Sequence, residues 1–351
     1  MTDEQAIELL HTLLAIPSVS GAEAGVAEYL VAQMNGHGFD AHIDAAGNAV
    51  GSIGAGPETV VLLGHMDTVA GTIPVRIEDG VLWGRGAVDA KGPLAAFVVA
   101  AARAQGRGTL RRRVIVAGCV EEEVASSRGA HHVAATWPAP DWCVVGEPSG
   151  ADRVTLGYKG NLRAEIQLDQ AAAHSAHSAA TAAERSCAIW QAIRGDALGW
   201  NAGCPRAFDQ LLPTLVSITS GGDGLHEWCR LLVNVRLPLA LDPAAYVERL
   251  NTLLPAEASL SVSGATPAFA SERTSPLARR FGRVLRERGQ PPRFVQKTGT
   301  ADMNVVGPAW GCPVVAYGPG DAALDHTPDE RIALAEYLEG IAVLEQVLLS
   351  E

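Results

Sequence analysis

Two histidines and a set of carboxylates recur in this sequence at one kind of place, just after an apolar run. His65 and Asp67 follow Val60-Val61-Leu62-Leu63-Gly64. Asp89 stands in the glycine-bounded segment Gly84-Arg85-Gly86-Ala87-Val88-Asp89-Ala90-Lys91-Gly92, ahead of a stretch rich in Ala and Val. Glu121, Glu122 and Glu123 follow the apolar run 114–119, Glu147 follows Trp142-Cys143-Val144-Val145-Gly146, and His326 sits in Asp325-His326-Thr327-Pro328-Asp329-Glu330. The ends of strands in an α/β sheet are where such folds hold ligands. Carboxylates gathered at one point repel each other unless cations are present. Two imidazoles and several carboxylates are the donor set of a two-metal hydrolytic site.

Singly, each segment has a plainer reading. A His-x-Asp pair is commonly a core histidine braced by its neighbour. Asp89 would serve as a helix N-cap, Glu121–123 as a solvated acidic loop, Glu147 as part of a turn, and Asp325 onward as a helix start. Five such coincidences at strand ends favour the shared site.

The elements that must position these residues are legible in outline. Thr2 and Gln5 form a capping box for a first helix with the stripe Ile7, Leu10, Leu13 and Leu14, stopped by Pro17. Ser20 and Glu23 repeat the box and predict a second helix to about Gly36. Short strands are expected at 40–43 and 49–53. The run 59–63 reads as a strand buried on both faces, and 73–83 as a hairpin turning at Asp79-Gly80. Strands follow at 114–119 and 142–145, with a helix near 129–136. After Tyr158 the pattern alternates (Leu162, Ala164, Ile166, Leu168), as in a half-exposed antiparallel sheet, with a helix at 179–193 and a strand at 231–237. The helix at 276–288 and the buried strand at 313–317 return to the first style. The expected fold class is α/β, a mainly parallel sheet flanked by helices. Residues 1–157 and 265–351 would build it, around an inserted α+β domain at 158–264.

Composition narrows the function. A chain of 351 residues exceeds one compact core. Its net charge of −12, from 27 basic and 39 acidic residues, argues against nucleic acid and anionic membrane as partners. No apolar run reaches membrane-span length and the N-terminus has no secretory pattern. The six cysteines form no Cys-x-x-Cys pair, as expected in a reducing compartment, so a cytoplasmic location is expected. A basic run at Arg107, Arg111, Arg112 and Arg113 reads as a solvated turn or as a docking patch for an acidic partner.

Together the motif segments resemble the co-catalytic zinc aminoacylase/carboxypeptidase family, which includes succinyl-diaminopimelate desuccinylase, acetylornithine deacetylase and glutamate carboxypeptidase. The resemblance runs from Gly64 to Glu330. It implies two divalent metal ions per subunit, zinc or else cobalt, held by His65, Asp89, Glu123, Glu147 and His326, with Asp89 bridging. It implies that Asp67 orients His65 and that Glu122 is the general acid/base. The Glu pair is aligned on Glu122 and Glu123 because Gly129 then falls at the family's usual distance. In this family a histidine of the inserted domain serves the active site of the other subunit as oxyanion donor. His174, in Ala173-His174-Ser175-Ala176-His177-Ser178, takes that place in preference to His177, which implies a homodimer through the inserted domain. Arg236, in Val233-Asn234-Val235-Arg236-Leu237-Pro238, resembles the family's carboxylate-holding arginine; its plainer reading is a surface strand arginine. Lys297-Thr298-Gly299-Thr300-Ala301-Asp302-Met303-Asn304 resembles the substrate loop, with Thr300 among its small donors and Asp302 placed to meet an amine.

Within the family, the segments at 86–93, 121–130 and 297–304 and the compact length resemble the amino-group-carrier-protein lysine/ornithine hydrolases. Those enzymes release lysine, in some cases ornithine, from the C-terminal glutamate of a small acidic carrier protein in lysine and arginine biosynthesis. Arg111, Arg112, Arg113, Arg163 and Arg206 are the candidate docking residues for such a carrier, although the overall charge opposes it. The alternatives are a small-molecule deacylase acting on acetylornithine or acetyllysine, a succinyl-diaminopimelate desuccinylase or carboxypeptidase, and a non-enzymatic dimeric binding module. Retention of five ligand positions and Glu122 argues against the module.

Overall fold

The computed structural model describes residues 1–172 and 179–350. They divide into two compact units: Met1–Gly157 with Ser271–Gln296 and Ala301–Glu351, and Tyr158–Ala270 with Lys297–Thr300.

The first unit is organised by a large mixed sheet. Four of its strands are parallel neighbours, in the order Arg112–Cys119, Glu58–His65, Trp142–Gly146, Val314–Ala316. Antiparallel strands flank them: Ala49–Ile53 and Asp40–Ile43 beyond the first, Arg153–Tyr158 beyond the last. The parallel strands are apolar and buried through most of their length, as two-sided cover requires.

A row of three glycines brings the helix Lys91–Gly106 onto one face of this sheet. Gly64 is register partner to both Gly118 and Gly146. A Cβ at Gly64 would lie 3.3 Å from Leu94 Cβ, and one at Gly146 would lie 2.9 Å from Phe97 Cε2. With the row bare, the start of that helix settles over the strand ends and delivers the Asp89 turn to them. On the opposite face the helices Arg128–Thr136 and Met303–Trp310 pack together. There Gly129 approaches so closely that its Cβ would meet Asn48 Oδ1 at 2.4 Å.

Lys91 is 1% exposed, and its ammonium donates to the carbonyls of Leu13 (2.9 Å) and Ile16 (2.7 Å). It thereby caps the orphan carbonyls at the end of the helix Asp3–Ala15. The expected hairpin turns at Asp79 and Gly80, both at positive φ, and joins Arg331–Ala333 in a separate three-stranded sheet.

The second unit holds a four-stranded antiparallel sheet, ordered Leu212–Gly222, His226–Leu237, Gly160–Ala171, Ala258–Thr266. Leu162, Ala164, Ile166 and Leu168 are buried, and the first three pack in a core with Ile189 and Ile193 of the helix Ala182–Asn201 and Tyr246 and Leu250 of Pro243–Leu253. The helix expected from residue 179 begins at Ala182, where Thr181 and Glu184 form the capping box. No helix among the described residues is long and apolar enough to cross a membrane.

Candidate active site

The site lies at the C-terminal ends of the parallel strands. Glu58–His65 ends in His65, Arg112–Cys119 runs into the Glu121–123 loop, and Trp142–Gly146 runs into Glu147. All these residues belong to the first unit.

Asp89 is the junction. His65 Nε2 is 3.2 Å from Asp89 Oδ1, and His326 Nε2 is 3.0 Å from Asp89 Oδ2. Each carboxylate oxygen thus faces a different imidazole, the disposition that a bridging ligand needs. His326 Nε2 is also 3.0 Å from Glu123 Oε2. Donor atoms of His65, Asp89 and Glu123 lie within 4.8 Å of one another, close enough to share an ion. A mixed imidazole and carboxylate set of this kind fits a borderline divalent ion such as zinc. Asp89 caps no helix: the N-cap of Lys91–Gly106 is Ala90, without a side-chain bond.

Electrostatics follow from the burial. Burial raises the Asp89 carboxyl, but His326 and His65 outweigh it and hold its pKa well below the usual range. Bonds to Asp89 and Glu123 raise the His326 imidazole to about 10. Burial opposes a charged His65 ring, yet Asp67 and Asp89 keep its pKa well above that of ordinary histidine. Burial pushes the Glu122 carboxyl well above the carboxylate range; Glu147 and Asp302 add to this, and His65 works against it.

Asp67 has more than one contact here. Its backbone carbonyl is 3.0 Å from His65 Nδ1, and its Oδ1 is 3.4 Å from the same nitrogen. The two carboxylate oxygens also accept the backbone N–H groups of Glu122 and Glu123, each at 3.1 Å. One carboxylate therefore ties the glutamate loop to the strand carrying His65. Glu121 turns elsewhere: its side chain takes Arg128 Nε at 2.8 Å and Ser126 Oγ at 2.7 Å, on a backbone at φ +59°. Left-handed φ at non-glycine residues, here Glu121 and also His326 (φ +59°), is strain of the kind found at functional sites.

Several supporting residues escaped the reading of the sequence. Ser20, taken as an N-cap, instead donates to Asp67 Oδ2 at 2.7 Å. Glu23 accepts Gly21 N–H and Glu121 N–H, while the helix Ala24–Gly36 starts without a side-chain cap. Local spacing promised a capping box, and a carboxylate 47 residues away took the hydroxyl. Glu330, fully buried, accepts the Val88 and Asp89 N–H groups (3.0 and 3.1 Å) and Arg85 at 2.6 Å, which holds the Asp89 turn. A charged residue just after the His326 motif was its only sequence signal.

Of the remaining expected residues, Asp302 lies close enough to act electrostatically on Glu122 and to feel His65 and Asp67. Asp302 is 2% exposed, neither of its carboxylate oxygens has a hydrogen-bond partner among the described residues, and burial pushes its pKa up to about 7. Arg236 Nη1 donates to Thr300 Oγ1 at 2.7 Å, and Thr300 Oγ1 donates to the Lys159 carbonyl at 2.9 Å, all within the second unit. His174 lies outside the described residues. Of the arginines considered for docking, Arg112 is buried against the carbonyls of Leu348 (2.6 Å) and Ser350 (3.0 Å) and is no surface group.

Residues 61–350 match the family described as Peptidase family M20/M25/M40. The sequence is 43% identical to a [LysW]-lysine hydrolase of Deinococcus radiodurans, over 98% of this chain and 96% of that one. It is 40% identical to a putative [LysW]-lysine/[LysW]-ornithine hydrolase of Thermococcus kodakarensis, over 99% and 92% of the two chains. In three dimensions it is similar to an M20 family metallo-carboxypeptidase of Sulfolobus solfataricus, with a TM-score of 0.81, 98% of each chain covered and 19% identity. Matched along most of its length in sequence and in fold, the chain belongs to peptidase family M20/M25/M40.

Proposed function

We propose that this protein is a metal-dependent amide hydrolase that releases lysine or ornithine from an amino-group carrier protein in the cytoplasm. The observation that carries the chemistry is Asp89, with one oxygen toward His65 and the other toward His326. The substrate class rests on end-to-end similarity to the [LysW]-lysine hydrolase.

His65, Asp89, Glu123, Glu147 and His326 would hold two divalent ions, most simply zinc. Such ions supply Lewis acidity toward the amide carbonyl and the attacking water. Glu122 accepts the water's proton as its oxygen attacks the carbonyl carbon, then returns it to the leaving amine nitrogen as the C–N bond breaks. Burial and its acidic neighbours raise the Glu122 pKa, which suits a group that must both take and give that proton. Asp67 keeps Glu122 and Glu123 in register through their N–H groups. His174 is the oxyanion donor in this reading. Arg236 and Thr300 bind the substrate carboxylate, and Asp302 its cationic group.

The second unit supplies the dimer contact in the same reading. Its edge strand Leu212–Gly222 is eleven residues long without one charged side chain, and Val216 and Ile218 on it are 53% and 45% exposed. Monomeric proteins protect edges of that kind with charges.

Turnover of carrier-linked lysine, acetyllysine, acetylornithine and succinyl-diaminopimelate by the zinc-loaded protein tests the reading. Carrier-linked lysine or ornithine is expected to lead in kcat/KM by more than about tenfold, or ~1.4 kcal/mol. A preference for succinyl-diaminopimelate would overturn it, and a lead by acetylornithine would reassign it as a small-molecule deacylase.

A further inference from the structure

A cavity of about 350 Å³ opens on the face of the large sheet opposite the helix Lys91–Gly106. Register defines its floor. Asp40 pairs with Ser52, Ser52 with Ile115 and Ile115 with Val61, so these four form one row across four strands. His42 with Val50, and Thr59 with Arg113, form the neighbouring rows on the same face. Trp137, just past the helix Arg128–Thr136, makes a wall.

Val61 and Ile115 give an apolar floor, while Arg113 and Asp40 stand at its ends. Both are exposed, and their side chains have no hydrogen bond or ion pair with any described residue. The strand order places the Arg113 and Asp40 columns two strands apart, about 10 Å. The two side chains do not pair across that gap, and a small zwitterion between them would satisfy both charges. The site is distinct from the catalytic one: Val61 lies four residues before His65, or about 13 Å along the strand.

We infer that this cavity binds a free α-amino acid with an apolar side chain. Its carboxylate would meet the Arg113 guanidinium, its ammonium the Asp40 carboxylate, and its side chain would lie on Val61 and Ile115 beside Trp137. Arginine suits the carboxylate because its planar fork matches two oxygens. The two floor strands, Glu58–His65 and Arg112–Cys119, are those whose far ends carry His65 and the glutamate loop, so the ligand sits on the frame of the active site.

Isothermal titration calorimetry on the intact protein tests this, with L-leucine as the probe and isocaproate and isoamylamine as its carboxylate-only and amine-only counterparts. Leucine is expected to bind saturably, with Kd in the millimolar range or below. Arg113→Gln and Asp40→Asn should each weaken it by about tenfold or more, while amide hydrolysis by Asp40→Asn is unchanged. Isocaproate binding as tightly as leucine would reduce the site to an anion site and overturn the inference. So would leucine binding that survives Arg113→Gln, which would place the ligand in the active site, or no saturable binding at all. The readout is independent of which amide the enzyme cleaves.

Discussion

The first unit buries its four parallel strands on both faces through most of their length and gathers its candidate metal ligands around their ends. The second covers one face of an antiparallel sheet and leaves the other face and a long edge to solvent. Parallel strands point their C-termini one way, so loops from distant parts of the sequence converge, and His65, Glu123 and Asp89 meet there. An antiparallel sheet sends alternate strands in opposite directions and has no such end, but it presents surface. Convergence suits catalysis, and presented surface suits recognition and assembly.

The largest test of this contrast is at the converging ends. Glu122→Gln should lower kcat by ~10²–10⁴-fold with metal content unchanged, measured by turnover and metal analysis. Full activity in the variant would show that the chemistry lies elsewhere.

A second test concerns how the first unit is held together. Burial lowers the Lys91 pKa from 10.5 to about 8. Between these values the unfolded chain binds more protons than the folded one, so unfolding free energy should rise with pH through that window. A shift of this size is worth on the order of 3 kcal/mol. Urea unfolding at pH 7.5 and pH 10 should show that rise in the wild type and a smaller one in Lys91→Met. Equal rises in the two proteins would contradict it.

Asp67→Asn keeps the shape but leaves only one acceptor oxygen for the Glu122 and Glu123 N–H groups. It should cost ~10–100-fold in metal affinity or kcat, read by metal titration and steady-state kinetics. A loss below twofold would mean that the glutamate loop holds its own position.

The smallest effect is expected at the second unit's edge. Ile218→Lys places a charge on the uncharged strand and should weaken dimerisation by about tenfold or more, with turnover retained only at concentrations where the dimer persists. Light scattering at several concentrations reads it. A wild-type protein monomeric throughout would remove the dimer proposal.

Much of the fold was readable because the relevant signals are local. Thr59 to Leu63 reads as a buried strand from its run of apolar β-formers, and Asp79-Gly80 as a turn from its Asp-Gly pair, which the structure holds at left-handed φ. Leu162, Ala164, Ile166 and Leu168 show their inward face by alternation alone. Ser20 misled for the same reason: Ser-x-x-Glu is a local pattern, and its hydroxyl answered to Asp67 instead. Arg112 looked like surface within a basic run, yet β-alternation turned it under the C-terminal helix while Arg111 and Arg113 stayed outside.

By itself the amino-acid order determined the donor types, their places after apolar runs, and the change of style from parallel to antiparallel sheet. These follow from side-chain chemistry and short-period patterning, which need no knowledge of distant residues. Only the tertiary structure decided that Asp89 divides its oxygens between two histidines, that Asp67 grips the glutamate loop, that Glu330 fixes the Asp89 turn, and that Arg113 and Asp40 face one cavity. Such contacts depend on distances of a few ångströms between groups tens to hundreds of residues apart. The strand order and the packing set those distances, and no local window of sequence contains them.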